Sequence, residues 1–247
     1  MSKRLCLVFF CLAVASRVFA FSFAVFGDNR DGDETFKLLV SKLNKEKAVA
    51  FAVNTGDFAS NGSEEKYIAY MEMTSKLKAP VYNVLGNHDG VRGGWRIFQK
   101  YFGPLYYSFD FEDSHFVVLN NAFKESFGSA QFAWLKKDLA QTKARHKFVF
   151  MHKPVFDPSA IYPDYIMSGR AVTEELEKLF EKYKVDYVFA GHIHGYAKAE
   201  RAGVTYIVTG GAGAPLYLPP EFGGFYHYVI ITVEKGRVSD RVARVYD

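Results

Sequence analysis

Short apolar segments that end in glycine and polar residues recur along the first ninety positions of the chain. Each contains no charged residue, which is typical of a buried β-strand. The segments and the residues that follow them are Phe21–Phe26 before Gly27-Asp28, Val49–Val53 before Asn54-Thr55-Gly56-Asp57, and Pro80–Leu85 before Gly86-Asn87-His88-Asp89. Because ligand sites of α/β folds form at the carboxyl ends of strands, we expect these polar side chains to meet at one edge of a sheet.

Amphipathic stretches separate these strands and predict helices. The apolar residues within 33–47 have helical spacing, which predicts a helix with Asp33 as its N-cap. Three further helices are predicted, from Ser63 to about Lys78, over 129–141, and over 172–184 with a cap at Thr173.

The second half of the chain is richer in strands. Tyr106–Phe111 and His115–Leu119 flank a polar turn and predict a hairpin. Further strands are expected at Phe148–Met151 before His152, at Tyr187–Ala190 before Gly191-His192-Ile193-His194, and in the tail at Val204–Val208 and Tyr228–Val233. This order predicts one α/β domain over residues 21–247, a four-layer αββα sandwich in which two mixed β-sheets pack face to face with helices outside.

The first twenty residues differ from the rest of the chain. Ser2-Lys3-Arg4 is a basic start, Leu5–Ala15 is an uncharged apolar run, and Val18-Phe19-Ala20 suits a cleavage site. This order predicts a signal peptide at residues 1–20 and a secreted or periplasmic protein, with an uncleaved N-terminal anchor as the alternative. Both cysteines, Cys6 and Cys11, lie in this segment, so the cleaved protein would have no disulfide.

Charge gives little information about partners. The formal net charge of the 247 residues is +4, with 31 basic and 27 acidic residues. Loss of residues 1–20 removes three of the basic residues and no acid, which leaves 28 against 27, or +1. A nucleic-acid groove needs a broad basic face, and the sequence gives no strong nucleic-acid signal.

The polar residues at the strand ends offer carboxylate, amide and imidazole groups. These ligands suit Mn, Fe, Zn or similar divalent ions. The candidate metal ligands are Asp28, Asp57, Asn87, His152, His192 and His194.

Five blocks resemble, in their order along the chain, the five motifs of the calcineurin-like metallophosphoesterases. The blocks are Gly27-Asp28, Gly56-Asp57, Gly86-Asn87-His88-Asp89, His152 and Gly191-His192-Ile193-His194. The Tyr106–Asp110 stretch and the tail resemble the branches of purple-acid-phosphatase-like enzymes and exported phosphodiesterases. The resemblance implies hydrolysis of small-molecule phosphomonoesters or phosphodiesters by two divalent metal ions that share a hydroxide nucleophile.

The resemblance also implies a role for each matched residue. Asp57 would bridge the two ions, with Asp28 and His194 on the first ion and Asn87, His152 and His192 on the second. His88 would be the general acid that protonates the leaving oxygen, oriented by Asp89. Asn87 would also contact the substrate.

One position departs from the family pattern. The first motif usually reads Asp-x-His, but here it reads Asp28-Asn29-Arg30. A guanidinium stays protonated and cannot donate a lone pair to a metal, so the first site would be weak or vacant. Arg30 is expected either to bind the substrate phosphate or to form a salt bridge with a surface acid.

Two other functions remain open at this point. The chain could be a metal-binding or protein-binding scaffold of the same fold with weakened catalysis, because Arg30 replaces a ligand. It could also be a secreted nuclease, which would bind nucleic acid in a salt-sensitive way.

Overall fold

Two β-sheets and six α-helices make up residues 20–246, the part of the chain that the computed structural model describes. The strands are β1 Ala20–Phe26, β2 Val49–Asn54, β3 Val81–Asn83, β4 Tyr107–Phe111, β5 Ser114–Val118, β6 His146–Phe150, β7 Tyr187–Ala190, β8 Tyr196–Arg201, β9 Val204–Thr209, β10 His227–Glu234 and β11 Arg237–Arg244. The helices are α1 Asp33–Leu43, α2 Glu64–Thr74, α3 Asn87–Gly90, α4 Gly94–Phe102, α5 Ser129–Gln141 and α6 Arg170–Lys182.

The strand order places the polar strand ends together. The first sheet has the order β11-β10-β1-β2-β3, and β1, β2 and β3 are parallel. The second has the order β4-β5-β6-β7-β9-β8, with β5, β6, β7 and β9 parallel. Parallel strands end at the same edge of a sheet, so the segments after β1, β2 and β3 are neighbours, as are those after β6 and β7.

An aromatic core lies between the two sheets. The Phe23 ring of the first sheet lies 5.3 Å from Phe116 and 5.0 Å from Phe148 of the second sheet, edge to face in both cases. Burial of such rings removes a large apolar area from water and fixes the two sheets face to face.

The outer faces of the sheets are covered by helices. Phe36 of α1 and Tyr70 of α2 are buried with the first sheet, and Leu135 of α5 and Phe180 of α6 are buried with the second. The predicted αββα sandwich of two mixed sheets is therefore confirmed.

Several predicted boundaries are wrong. Helix α1 ends at Leu43, its N-cap is Gly32, and Asp33 is its first residue. Helix α2 ends at Thr74 instead of Lys78, and α6 begins at Arg170. Thr173 is therefore inside α6, where its hydroxyl donates to the Arg170 carbonyl.

Four elements were not predicted from the sequence. They are the short helix α3, the helix α4, which buries Phe98, and the edge strands β8 and β11. Most residues of these two strands are exposed or half-buried, so their sequences lack the apolar run that marks the central strands.

The predicted signal peptide cannot be compared with the structure, because residues 1–19 lie outside the described residues. Within residues 20–246, no helix has both the length and the apolar character needed to cross a membrane.

Candidate metal centre

Asp57 lies at the middle of the polar strand ends. It follows β2, and its side chain is almost fully buried. Its Oδ1 accepts a hydrogen bond of 2.8 Å from the backbone N–H of His88 and lies 3.5 Å from Nε2 of His152. Burial of a carboxylate is costly unless hydrogen bonds, an ion pair or a metal ion compensate it, so this position favours nearby positive charge.

Three side chains present metal-ligating atoms to one point. One ligand atom from each of Asp57, His152 and His192 lies within 4.8 Å of the other two. The Oδ1 atom of Asn87 lies 3.0 Å from Nε2 of His152 and adds an amide oxygen. One carboxylate, one amide and two imidazoles match the preferences of divalent transition ions, so these residues fit a metal.

Hydrogen bonds orient two of the imidazoles toward the centre. Nδ1 of His152 lies 2.9 Å from the carbonyl oxygen of Thr55, and Nδ1 of His194 lies 2.6 Å from that of Pro215. A carbonyl only accepts, so each Nδ1 must carry the proton and donate it. Each Nε2 atom then faces the centre, which is the arrangement that ligating histidines have in metalloproteins.

The electrostatics of these groups also suit a metal. Burial, assisted by the charge of His152, lowers the pKa of His192 to about 2, so that its imidazole is neutral and has a free lone pair. Burial also opposes protonation of His152, but the carboxylate of Asp57 overrides it and raises the pKa of His152 to about 9. A metal ion would displace this proton and take over the pairing with Asp57.

Asp28 and His194 form a second half of the centre. Asp28 is fully buried, and its Oδ2 accepts a 2.9 Å hydrogen bond from the backbone N–H of His192. Its Oδ1 is buried without a hydrogen-bond partner among the described residues and lies 3.4 Å from Nε2 of His194. An unpaired buried carboxylate oxygen beside an imidazole lone pair is consistent with a cation site.

Arg30 stands at the sequence position where the family pattern has histidine. Its Nε lies 3.7 Å from Oδ2 of Asp57 and is buried without a hydrogen-bond partner in the described chain. Its Nη1 donates to Oδ2 of Asp31 at 3.1 Å. One edge of the guanidinium therefore pairs with a surface acid, and the other faces Asp57.

His88 lies at the mouth of the centre. Its side chain is 38% exposed, and its Nε2 is 4.0 Å from Oδ2 of Asp57. It is therefore accessible to a substrate, unlike the buried His152 and His194.

The predicted pairing of His88 with Asp89 is wrong. The buried Asp89 carboxylate instead accepts three backbone hydrogen bonds of 2.8 Å, from the N–H groups of Asp57, Ala59 and Gly86. Nδ1 of His88 lies 3.4 Å from the Ser60 carbonyl oxygen. Asp89 therefore turns back and holds the loop that carries Asp57.

The backbone at the centre is strained. Asp28, Asp57 and His192 all have positive φ values, of 58°, 56° and 67°, which residues other than glycine seldom adopt. Such conformations persist where surrounding contacts hold them, and they cluster at functional sites. Gly86 provides the necessary space, because a Cβ there would collide with the backbone nitrogen and Oδ1 of Asp57.

Two supporting residues were missed by the sequence analysis. The buried Asn121 side chain accepts from the backbone N–H of His152 at 2.9 Å and donates to the Lys153 carbonyl at 2.7 Å. Asn54 accepts from the Gly56 N–H at 2.9 Å and so supports the turn before Asp57. Both asparagines follow the apolar part of a strand, and this shared position is the signal that would have identified Asn121.

Tyr217 was also missed. Its ring stacks on the His194 imidazole, with centroids 3.8 Å apart and planes at 16°. It belongs to the segment between β9 and β10, and no strand end in the sequence marks it.

The family model for calcineurin-like phosphoesterases matches residues 21–196, which contain all of the candidate metal ligands. The chain belongs to this family. Members of the family use divalent metals, and the curated relatives that the chain matches include purple acid phosphatases and a probable phosphodiesterase.

Two curated relatives illustrate these activities. The Fe(3+)-Zn(2+) purple acid phosphatase 12 of Arabidopsis thaliana is 30% identical over 132 residues, which are 49% of this chain and 28% of that protein. A Rhodopseudomonas palustris protein named "Probable cyclic nucleotide phosphodiesterase" is 31% identical over 180 residues, 66% of this chain and 64% of that protein.

A solved structure supports the fold. A purple acid phosphatase from yellow lupin (Lupinus luteus) seeds superposes with a TM-score of 0.75 at 18% identity, and the match covers 93% of this chain and 52% of the lupin chain. This chain therefore spans about half of that structure and less than a third of the Arabidopsis enzyme.

Proposed function

We propose that this protein hydrolyses phosphomonoesters or phosphodiesters of small molecules with a dinuclear divalent metal centre. The observation that carries the proposal is the convergence of Asp57, His152 and His192 within 4.8 Å, with the Asn87 amide beside them. Asp57, His152 and His192 follow β2, β6 and β7, so the arrangement of the strands brings these side chains together.

The two halves of the centre differ in the number of ligands that the chain offers. Asp57, Asn87, His152 and His192 would hold one ion. Asp28 and His194 would hold the other together with Asp57, and this site would be the weaker one because Arg30 replaces a histidine. When bound, the ions would act as Lewis acids toward the phosphoryl group and make water a better nucleophile at neutral pH.

Arg30 and Asn87 would position the substrate phosphate. The Nε edge of Arg30 is free of hydrogen bonds and faces the centre, where it would donate to a phosphate oxygen. The same guanidinium would offset the negative charge that Asp57 and the phosphate bring into a buried site.

His88 would supply the proton for the departing alcohol. Its exposed ring lies at the rim, where the ester oxygen of a bound phosphate would be within hydrogen-bond reach. Asp89 would act as a positioning residue for the Asp57 loop.

The test is metal-dependent hydrolysis of p-nitrophenyl phosphate and bis(p-nitrophenyl) phosphate. We expect activity with Mn²⁺ and its loss after chelation. His152→Asn should lower kcat/KM by about 100-fold or more, because even residues that only support metal ligands contribute about 10- to 100-fold. His146→Asn is the matched control, because His146 is a buried histidine at the other end of the same strand and pairs with Asp186.

The scaffold remains the alternative, and the unusual position of Arg30 is the observation that favours it. A folded protein that hydrolyses neither ester with Mn²⁺, Zn²⁺, Fe²⁺ or Co²⁺ would contradict the enzyme and support the scaffold. Salt-sensitive binding and cleavage of nucleic acid would instead identify a nuclease.

Export to the periplasm or the medium is the second part of the proposal. It rests on the charge and hydropathy order of residues 1–20. N-terminal sequencing of the protein from expressing cells should find Phe21 as the first residue. Recovery of the intact chain in the membrane fraction would indicate an uncleaved anchor.

A further inference from the structure

Three tyrosines line one side of the metal centre. They come from the segment after β6 and the segment after β9, both at the carboxyl edge of the second sheet. We call Tyr162, Tyr165 and Tyr217 the tyrosine wall.

The wall is in direct contact with the candidate metal ligands. Tyr217 stacks on His194 at 3.8 Å, and the Tyr165 ring lies 5.9 Å from the His192 ring at an angle of 38°. Tyr165 and Tyr217 are themselves packed edge to face, with centroids 5.8 Å apart. The rings therefore continue outward from both halves of the centre.

Hydrogen bonds fix the wall in place. The Tyr162 hydroxyl donates to the Tyr217 carbonyl at 3.0 Å and joins the two segments. The Tyr162 N–H donates to Asp157 at 2.7 Å, and the Tyr165 N–H donates to the Tyr162 carbonyl at 2.9 Å. A surface that is already ordered can bind a ligand without a further entropic cost of ordering.

Tyr165 is the outermost ring of the wall and is 43% exposed. The five large hydrophobic residues that are exposed in the described chain are Ile68, Trp95, Tyr165, Phe222 and Tyr246. Of these, Tyr165 packs against a candidate metal ligand. An aromatic face left open to water at the rim of a buried polar site favours a ligand that covers it.

We propose that the tyrosine wall binds the alcohol part of the ester and selects planar aromatic groups, so that the preferred substrates are aryl, arylmethyl or nucleoside esters. This inference rests on the proposed function. The ions and Arg30 would bind the phosphate group, whereas the wall offers aromatic rings and no positive charge. The face of Tyr165 suits an offset or edge-on second ring better than a saturated chain, because aromatic pairs gain from their complementary quadrupoles.

The test compares benzyl phosphate with cyclohexylmethyl phosphate. Both release primary alcohols of similar size and acidity, so the chemical step is alike for the two. The saturated group is the more hydrophobic, and a preference for benzyl therefore reports ring recognition. We expect the wild-type chain with Mn²⁺ to favour benzyl phosphate by about 3- to 10-fold in kcat/KM.

Variants assign this preference to the wall. In Tyr165→Leu, the kcat/KM values for benzyl and cyclohexylmethyl phosphate should agree within about twofold, because only hydrolysis of the benzyl ester is slowed. Tyr165→Phe should retain the preference for benzyl phosphate. Tyr246→Leu is the control, because Tyr246 is similarly exposed at 49% but packs on Tyr226. The preference of this variant for benzyl phosphate should equal that of the wild type.

Failure of this inference is distinguishable from failure of the proposed function. Equal rates for both esters in the wild type, or a preference that survives in Tyr165→Leu, would overturn the role of the wall and leave the hydrolase intact. If neither ester is hydrolysed and bis(p-nitrophenyl) phosphate is also left intact, the proposed function fails. Calorimetry with benzylphosphonate and cyclohexylmethylphosphonate then tests the wall alone, and equal affinities would overturn it.

Discussion

The Nε atom of Arg30 lies 3.7 Å from Oδ2 of Asp57, the carboxylate that the two halves of the candidate centre would share. The family pattern has a histidine at this position, which would be a fourth protein ligand for the first ion beside Asp28, Asp57 and His194. The guanidinium partly neutralises Asp57 where that ligand is missing.

Replacing Arg30 with histidine should strengthen the weaker metal site. The imidazole would add a lone pair and remove the competing charge, so Arg30→His should bind close to two manganese ions per chain at a concentration where the wild type binds closer to one. Metal content measured by mass spectrometry after removal of free Mn²⁺ tests this. Arg170→His, on an exposed arginine, is the control, and an identical gain in both variants would contradict the prediction.

Asp89 should contribute mainly to stability. Asp89→Asn offers one oxygen where the carboxylate offers two, so at least one of three buried N–H groups loses its acceptor. We expect the free energy of unfolding in urea to fall by about 2 kcal/mol or more. Unchanged stability together with a shifted pH–rate profile would instead restore the orienting role toward His88.

Gly86 should not tolerate a side chain. The Cβ of Gly86→Ala would displace Asp57, so activity should fall and the free energy of unfolding should decrease by about 1–3 kcal/mol. Gly128→Ala is the matched control, because a Cβ there meets no atom within 4 Å and φ is −95°. Equal behaviour of the two variants would show that the close approach to Asp57 does not matter.

A histidine outside the centre should make stability depend on pH. Burial alone would lower the pKa of His115, but the carboxylates of Asp138, at 2.8 Å, and Asp110, at 2.6 Å, outweigh it and raise the pKa. The folded protein holds this proton more tightly than the unfolded chain does. The stabilisation is therefore complete below the pKa of the unfolded chain, about 6.5, and is lost as pH rises through the pKa of His115 in the folded protein.

The variant His115→Gln isolates this contribution. Its loss of stability relative to the wild type should be larger at pH 5.5 than at pH 9 when urea unfolding is measured without metal. A loss of stability that is the same at both pH values, or larger at pH 9, would contradict the raised pKa of His115.

The sequence was sufficient to predict that several of the candidate metal ligands lie at strand ends. Asp28 and Asp57 follow the neighbouring parallel strands β1 and β2, so the ends of these strands must be adjacent. His152 follows an apolar strand of the facing sheet, β6. Two facing sheets follow from the same pattern, because uncharged strands need cover on both faces.

Roles that depend on loop paths could not be predicted. Asp89 is next to His88 in the chain, yet its side chain points back to the Asp57 loop, and this choice is decided by three backbone N–H groups that no sequence pattern displays. Tyr217 reaches His194 through a segment rich in glycine and proline, whose course follows from tertiary contacts such as the 2.9 Å hydrogen bond from its N–H to the His194 carbonyl. The edge strand β11 was missed because its exposed face is polar.

The central claim is that Asp57, Asn87, His152 and His192 hold a catalytic metal ion. Anomalous diffraction from crystals grown with Mn²⁺ tests it most directly. The account predicts an anomalous peak at bonding distance from the Asp57 carboxylate, the Asn87 amide oxygen and both imidazoles. The absence of any peak among these side chains in a protein that still hydrolyses phosphate esters would contradict it.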